Sequence, residues 1–256
     1  MTVLLIDDPA SGVRRMRIDR PNARNAIDAA VRAALRSALS DAAADPDVRV
    51  ILFGSANGVF CAGGDLPSMV GLSEADADIR MRESHGIAAT IGNFPKPVVA
   101  AVEKFAIGAG AGMALLADHL IMADDAFLSF PFLKIGLVPD WGITATLPLR
   151  TGIARAARVL RSGGTILAAQ AVDTGVADEM APADQIESIA IDRATALGAL
   201  PAAAFARLKI RLRGQELQAT LDAERIAQVQ SLIGPEFREG YAAFLEKRSA
   251  DFRKPA

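Results

Sequence analysis

One carboxylate, Asp140, lies in a long apolar stretch and is the side chain best suited to proton transfer. The stretch from Leu128 to Pro148 consists mostly of apolar residues, glycine and proline, and Asp140 stands between Pro139 and Trp141. Burial in such surroundings disfavours the charged form of a carboxyl group and raises its pKa. A carboxyl group with a pKa near neutrality can accept and return protons. The sequence therefore predicts a catalytic acid and base at Asp140. The alternative is that Asp140 caps a helix or occupies a turn.

Two glycine-rich loops each follow a predicted strand. They are residues 60–66 (F-C-A-G-G-D-L) and 106–112 (A-I-G-A-G-A-G). Glycine lets backbone N–H groups border a cavity without side-chain obstruction, and the first N–H groups of a helix are free to bind an anion. Together the loops could provide two donors to one oxygen, which is an oxyanion hole. The competing interpretations are a structural turn for the first loop and a dinucleotide-binding fingerprint for the second. Met113 disfavours the fingerprint, because G-x-G-x-x-G requires glycine there.

Strands and helices alternate through the first two-thirds of the chain, which predicts an α/β architecture of repeated ββα turns. The predicted strands are 3–6, 13–18, 48–53, 97–102, 120–123 and 126–130, and the predicted helices are 28–43, 73–91 and 108–116. The uncharged run 105–117 is interpreted as a buried helix. Beyond residue 153 the pattern is helical, with predicted helices at 153–161, 183–197, 201–213, 215–233 and 235–247 and a strand only at 175–180.

Composition narrows the possible partners. The net charge is −2 and the isoelectric point is near 5.8, so neither nucleic acid nor a membrane surface is an expected partner. Cys61 is the only cysteine, which excludes an intrachain disulfide and favours a cytoplasmic location. We interpret Cys61, His85 and His119 as packing or surface residues and expect no metal site.

Several motifs, taken together, carry a family resemblance that spans nearly the whole chain. In order they are R-P-N-A-R-N-A at 20–26, the loop 60–66, K-P-V-V-A-A-V at 96–102 leading into 108–112, I-G-L-V-P-D at 135–140, and the tail 244–248 with Phe252. The chain resembles the crotonase superfamily, also called the enoyl-CoA hydratase/isomerase family. The resemblance implies a spiral of ββα units over residues 1–198 and a C-terminal helical trimerisation region over residues 199–256. It also implies a homotrimer or a dimer of trimers.

The resemblance also assigns ligands and site residues. The ligand would be an acyl-CoA thioester, with no separate cofactor because coenzyme A is part of the substrate. The oxyanion donors would be the backbone N–H groups of Gly64 and Ala109. Coenzyme A would be held by the residues at five positions, Arg24, Ala26, Ala62, Asp65 and Leu66. Phe132 and Trp141 would line the acyl pocket.

The chain departs from the hydratases of this family at two positions. Hydratases carry glutamates where this chain has Gly112 and Phe132. Adding water across a double bond needs both acids, whereas moving a double bond needs one base and an oxyanion hole. The run from Pro131 to Gly142 most resembles the ring-expanding epoxyphenylacetyl-CoA isomerases, and next the Δ3,Δ2-enoyl-CoA isomerases. The prediction is an enoyl-CoA isomerase that uses Asp140. The alternatives are a hydratase-like or thioester-hydrolysing relative, and a catalytically silent acyl-CoA-binding protein.

Overall fold

The computed structural model describes residues 2–253, except for the side chains of residues 213–215. The last three residues of the predicted trimerisation region, 254–256, lie outside the described residues. In chain order the elements are β1 Leu4–Ala10, β2 Val13–Ile18, α1 Ala29–Ala44, β3 Val50–Phe53, α2 Glu74–Gly92, β4 Val98–Val102, β5 Phe105–Ile107, α3 Ala109–Leu115, β6 His119–Ala123, β7 Phe127–Ser129, α4 Ile143–Thr151, α5 Ile153–Ser162, β8 Thr165–Leu167, α6 Ala168–Asp173, β9 Glu179–Ala181, α7 Ile186–Gly198, α8 Ala202–Ile233 and α9 Pro235–Glu246.

The strands form two sheets, and from β4 to β7 successive strands alternate between them. The larger sheet has the order β1-β2-β3-β4-β6-β9, and only its β1–β2 pair is antiparallel. The smaller sheet has the order β5-β7-β8. The chain passes from β4 in the larger sheet to β5 in the smaller sheet, then through α3 to β6 and β7, which repeat the same step. This arrangement confirms the predicted α/β fold of ββα turns.

Local sequence explains where the elements begin and why the central strands are apolar. Every residue of β3 and β4 is buried, as expected for parallel strands that are covered on both faces. Asp28 is the N-cap of α1, as predicted, and its carboxylate accepts a hydrogen bond from the Val31 N–H at 2.9 Å. Ser73 caps α2 in the same way through the Asp76 N–H, at 3.1 Å.

Several predicted elements are wrong in extent or number. The run 105–117 is not one helix, because β5 precedes α3, and the strand predicted at 175–180 lies at Glu179–Ala181. The sequence predicts neither β8 nor the helices α4 and α6. Three-residue strands are too short to show alternation of apolar and polar residues. The two helices predicted at 201–213 and 215–233 form the single helix α8. The predicted break falls at Gly214. A glycine inside a helix costs only about 1 kcal/mol of stability, and the packing of α8 on α2 offsets this cost.

The C-terminal helices pack against the core. Helix α8 lies along α2, where the Leu217 side chain occupies the space that a Cβ on Gly92 would need. Helix α9 contacts the 3-10 turn Phe132–Ile135, and a Cβ on Gly240 would overlap the backbone of Ile135. The predicted trimerisation region therefore also covers one side of the loop that carries Asp140.

Residues 2–253 contain neither a single membrane-spanning helix nor a cluster of metal-binding side chains. No single helix is long and apolar enough to cross a bilayer, although α7 and the first part of α8 meet this requirement as a pair bent by 103°. No group of three or more His, Cys, Asp or Glu side chains in this part of the chain is arranged to hold a metal ion.

Candidate active site

A cavity of about 300 Å³ lies where the two glycine loops, α2, the 131–141 segment and the C-terminal helices meet. Its walls are mainly apolar. In the described part of the chain its polar lining consists of five side chains, Arg24, Arg80, Ser84, Asp140 and Gln228. Asp140 is the one carboxylate among them. An apolar cavity with a few convergent polar groups is typical of a site that binds a small molecule.

The two glycine loops are held together by backbone hydrogen bonds. The Cys61 N–H donates to the Phe105 carbonyl at 3.2 Å, and the Ile107 N–H donates to the Cys61 carbonyl at 3.0 Å. Gly63 has a φ of +94°, and a Cβ there would lie 2.6 Å from the Ile107 carbonyl oxygen. Glycine at position 63 is therefore required both by conformation and by the close approach of the loops.

Gly64 and Ala109 both border the cavity. Ala109 is the first residue of α3, so its N–H has no acceptor within the helix. Among the described residues, no protein group accepts a hydrogen bond from the N–H of either residue. Two backbone donors on facing loops are thus available to a ligand oxygen.

Asp140 is buried at the cavity wall, with 7% of its surface exposed. Its Oδ2 accepts a hydrogen bond from Gln228 Nε2 at 3.2 Å, whereas Oδ1 is buried and has no hydrogen-bond partner among the described residues. Burial, and to a smaller extent the nearby charge of Glu224, raises the pKa of Asp140 to about 7. The Gln228 hydrogen bond and the Arg80 charge act in the opposite direction.

Glu224, on α8, caps helix α4. One carboxylate oxygen accepts from the Gly142 N–H at 2.8 Å, and the other accepts from the N–H and hydroxyl of Thr144 at 3.1 and 2.6 Å. The Asp140 side chain makes no capping hydrogen bond, so the alternative that it caps a helix is wrong. Its carbonyl accepts from the Ile143 N–H at 3.2 Å, so Asp140 does occupy a turn. Burial raises the pKa of Glu224 as well.

Gln228 fixes the position of Asp140. Its Oε1 accepts from the Val138 N–H at 3.1 Å while its Nε2 donates to Asp140. Both ends of the amide are therefore used by the loop that carries the acid. Gln228, Glu224 and Arg80 are site residues that the sequence patterns do not predict. Glu224 and Gln228 are polar residues four apart on a face of α8 that also carries Leu221 and Leu232. Polar residues that interrupt an apolar helix face are the one sequence feature that could have indicated their role.

The sequence profile of the family described as "Enoyl-CoA hydratase/isomerase" matches residues 8–255. The chain belongs to this family. It is 36% identical to a probable enoyl-CoA hydratase of Rhodobacter capsulatus over 95% of both chains. It is 34% identical to the mouse mitochondrial enoyl-CoA hydratase domain-containing protein 2, over 98% of this chain and 87% of that protein. The crystal structure of an enoyl-CoA hydratase from Mycobacterium avium subsp. paratuberculosis superimposes with a TM-score of 0.88 at 30% identity, covering 98% of each chain.

The two positions at which hydratases of the family are expected to carry glutamates are filled by other groups. Phe132 is buried and lines the cavity, and its ring lies 3.6 Å from the position of a Cβ on Gly108. A Cβ on Gly112 would lie 2.5 Å from the Cβ of Trp141 and 3.3 Å from Ile143 Cγ1. Trp141 therefore takes the space of a side chain at 112, and it also lines the cavity.

The five residues that the family resemblance assigns to coenzyme A divide into two groups. Arg24, Ala62 and Leu66 line the cavity, and the Ala62 N–H donates to the Arg24 carbonyl at 3.0 Å. Ala26 and Asp65 lie outside the lining. Both are held by Arg20, whose Nη1 donates to the Ala26 carbonyl at 2.7 Å and to Asp65 Oδ1 at 3.1 Å.

The remaining candidates are packing residues. Cys61 is buried, and burial raises the pKa of its thiol to about 12, so the thiol stays protonated at neutral pH. His85 is buried between α2 and α8, with Nδ1 2.8 Å from the Leu221 carbonyl oxygen. His119 lies 3.5 Å from Glu179 at the start of β6.

Proposed function

We propose that this member of the family is an enoyl-CoA isomerase that moves a double bond along the acyl chain, with Asp140 as its single acid and base. One observation carries the proposal. Asp140 is the one carboxylate on the cavity wall among the described residues, and its buried Oδ1 has no protein partner. A reacting carbon that enters the cavity would supply the proton that this oxygen is free to accept.

The reaction requires one base and one site for negative charge. The Asp140 carboxylate removes a proton from C2 of a 3-enoyl thioester, and the electron pair moves onto the thioester oxygen to form a dienolate. The N–H groups of Gly64 and Ala109 stabilise that oxygen by hydrogen bonding. Asp140 then returns the same proton to C4, and a 2-enoyl thioester results. No water or separate cofactor takes part.

The environment of Asp140 supports this role. A pKa of about 7 leaves a substantial carboxylate fraction at neutral pH and makes the protonated form a competent acid. Gln228 holds Oδ2, so Oδ1 is left for the transfer. Hydration is the second candidate, because the relatives named above are called hydratases. Gly112 and Phe132 provide no acid to position water, which favours isomerisation.

We further propose how the substrate and the subunits are held. Arg24, Ala62 and Leu66, at the edge of the cavity, would contact the pantetheine arm of coenzyme A. Ala26 and Asp65 would act by fixing that loop through Arg20. The C-terminal region 199–256 would form a homotrimer or a dimer of trimers, as the family resemblance implies.

The test offers a 3-enoyl-CoA and a 2-enoyl-CoA to the wild type and to Asp140→Asn. Conjugation and hydration are followed by absorbance, and release of free thiol is followed in parallel. The proposal expects conjugation that falls about 10²–10⁴-fold in the variant. Hydration without conjugation would support the second candidate, and thiol release would indicate thioester hydrolysis. Binding without any turnover would indicate a silent acyl-CoA binder.

A further inference from the structure

Arg80 is a buried cation on the wall of the cavity. It lies on α2 with 7% of its surface exposed, and the cavity that it lines is also lined by Leu66, Met69 and Met81. Burial, and to a smaller extent the charge of Arg32, lowers the pKa of Arg80 to about 10. The guanidinium nevertheless remains charged at neutral pH. A charge buried without a partner is unfavourable, so its presence here needs an explanation.

The protein uses only one nitrogen of this guanidinium. Nη1 donates to the hydroxyl of Ser68 at 3.0 Å and to the Ser68 carbonyl at 3.4 Å. Neither Nε nor Nη2 has an acceptor among the described residues. Nη2 lies 3.8 Å from the position of a Cβ on Gly64, so this side of the guanidinium is beside the candidate oxyanion loop.

The carboxylates near Arg80 form their ion pairs and hydrogen bonds with other residues. Asp28 and Asp65 each form an ion pair with Arg20 at 3.1 Å. Asp140 accepts from Gln228. These three carboxylates are close enough to influence the pKa of Arg80, yet none lies within ion-pair distance of it in the described structure. The edge formed by Nε and Nη2 therefore has no protein carboxylate.

We propose that Arg80 binds a carboxylate on the acyl chain of the substrate, so that the preferred ligands are CoA thioesters of short dicarboxylic acids. The Nε–Nη2 edge of a guanidinium matches the two oxygens of a carboxylate and forms a bidentate pair with them. The inference rests on the proposed function in one respect, namely that the acyl chain occupies this cavity. The chain is short because Nη2 lies beside Gly64, whose N–H would hold the thioester oxygen.

Binding of unreactive thioesters tests the proposal directly. Dissociation constants are measured by calorimetry for glutaryl-, adipyl- and pimelyl-CoA and for valeryl-, hexanoyl- and heptanoyl-CoA, which have the same numbers of carbons. The dissociation constant of free coenzyme A is measured as a control, because it shows how much of the affinity comes from the nucleotide and its phosphates. In the best-fitting pair we expect the dicarboxylic thioester to bind about 10- to 100-fold more tightly, the range for a hydrogen-bonded pair with a charged group.

Two variants of Arg80 and one matched control identify the residue responsible. Arg80→Met keeps an unbranched apolar side chain without the guanidinium and should abolish the preference, while Arg80→Lys keeps the charge and should retain part of it. Arg82→Met is the control, because Arg82 is an exposed arginine on the same helix. It should leave the preference unchanged. Thermal unfolding of each variant establishes that it is folded. If Arg80→Met does not fold, the preference is tested with Arg80→Lys alone.

Two results would overturn the proposal. One is that no dicarboxylic thioester binds more tightly than its matched partner. The other is that the Arg80 variants weaken both members of a pair equally, as a purely structural role would. Saturated thioesters cannot be isomerised or hydrated, so this experiment is independent of Asp140. If Asp140→Asn kept full activity while the carboxylate preference held, the mechanism would fail and the binding proposal would stand.

Discussion

Two buried acids, Asp140 on the loop before α4 and Glu224 in the middle of α8, lie close together and differ in what surrounds their oxygens. Burial raises the pKa of both. Three donors from α4 satisfy the two oxygens of Glu224. Asp140 has a single donor on Oδ2, none on Oδ1, and borders the cavity. Burial and a raised pKa are therefore common to a structural acid and a catalytic candidate. An unsatisfied oxygen at a cavity separates them.

The largest expected effect is on turnover. Asp140→Asn should reduce the conversion of a 3-enoyl-CoA to its conjugated isomer about 10²–10⁴-fold, because the proton carrier is lost. Glu224→Gln keeps a hydrogen-bonding group of the same shape and should retain most of the activity. Both rates are measured in the same absorbance assay. Equal losses in the two variants would remove the distinction between the two acids.

The second prediction concerns the free energy of unfolding. Glu224→Ala leaves the buried Gly142 N–H without an acceptor, whereas the donors of Thr144 lie at an exposed position and can bond to water. A buried group left without a partner costs about 1–3 kcal/mol, so a loss of about 1–3 kcal/mol is expected in urea denaturation. Glu216→Ala, at an exposed position of the same helix, is the control and should change stability little. An unchanged midpoint in Glu224→Ala would mean that the cap contributes nothing.

The third prediction concerns stability as a function of pH. The pKa of Asp140 is about 7 in the folded protein and near 3.8 in an unfolded chain, so the folded state holds the proton more tightly. Raising the pH from about 4 to about 7 therefore destabilises the wild type relative to Asp140→Asn, by up to a few kcal/mol. Above about pH 7 the difference levels off. Denaturation of both proteins over this range measures it, and parallel curves would contradict the raised pKa.

The smallest expected effect is a shift in the pH–rate profile. The acid limb of kcat/KM should have an apparent pKa near 7, because Asp140 must be ionised to accept the proton. Gln228→Leu removes a hydrogen bond that favours the ionised form, and should move this limb to higher pH. Glu224→Gln removes a negative charge and should move it to lower pH.

The control for this last prediction is Gln230→Leu, an exposed glutamine on the same helix. It should leave the profile unchanged. Shifts of the same sign in Gln228→Leu and Glu224→Gln would show that the limb reports general perturbation of α8, since the two contacts act on Asp140 in opposite directions.

The sequence allowed the fold class and the central acid to be predicted, but only part of the site. Uninterrupted apolar strands such as β3 and β4 and capped helices such as α1 leave patterns that can be recognised locally. Short strands such as β5 and β8 pair only through the smaller sheet, so their sequences carry little pattern. Gln228 and Glu224 lie 88 and 82 residues from their partners Asp140 and Gly142. No local pattern reports such contacts.

The sequence by itself determined that an acid lies in an apolar segment, that two glycine loops follow strands, and that positions 112 and 132 carry no carboxylate. These properties depend on residue type and spacing. Only the tertiary structure decided that Glu224 caps α4, that Gln228 holds one oxygen of Asp140, and that Arg80 lies unpaired beside Gly64. The physical reason is that hydrogen bonding and charge pairing depend on distances of a few ångströms, which chain folding sets between segments far apart in sequence.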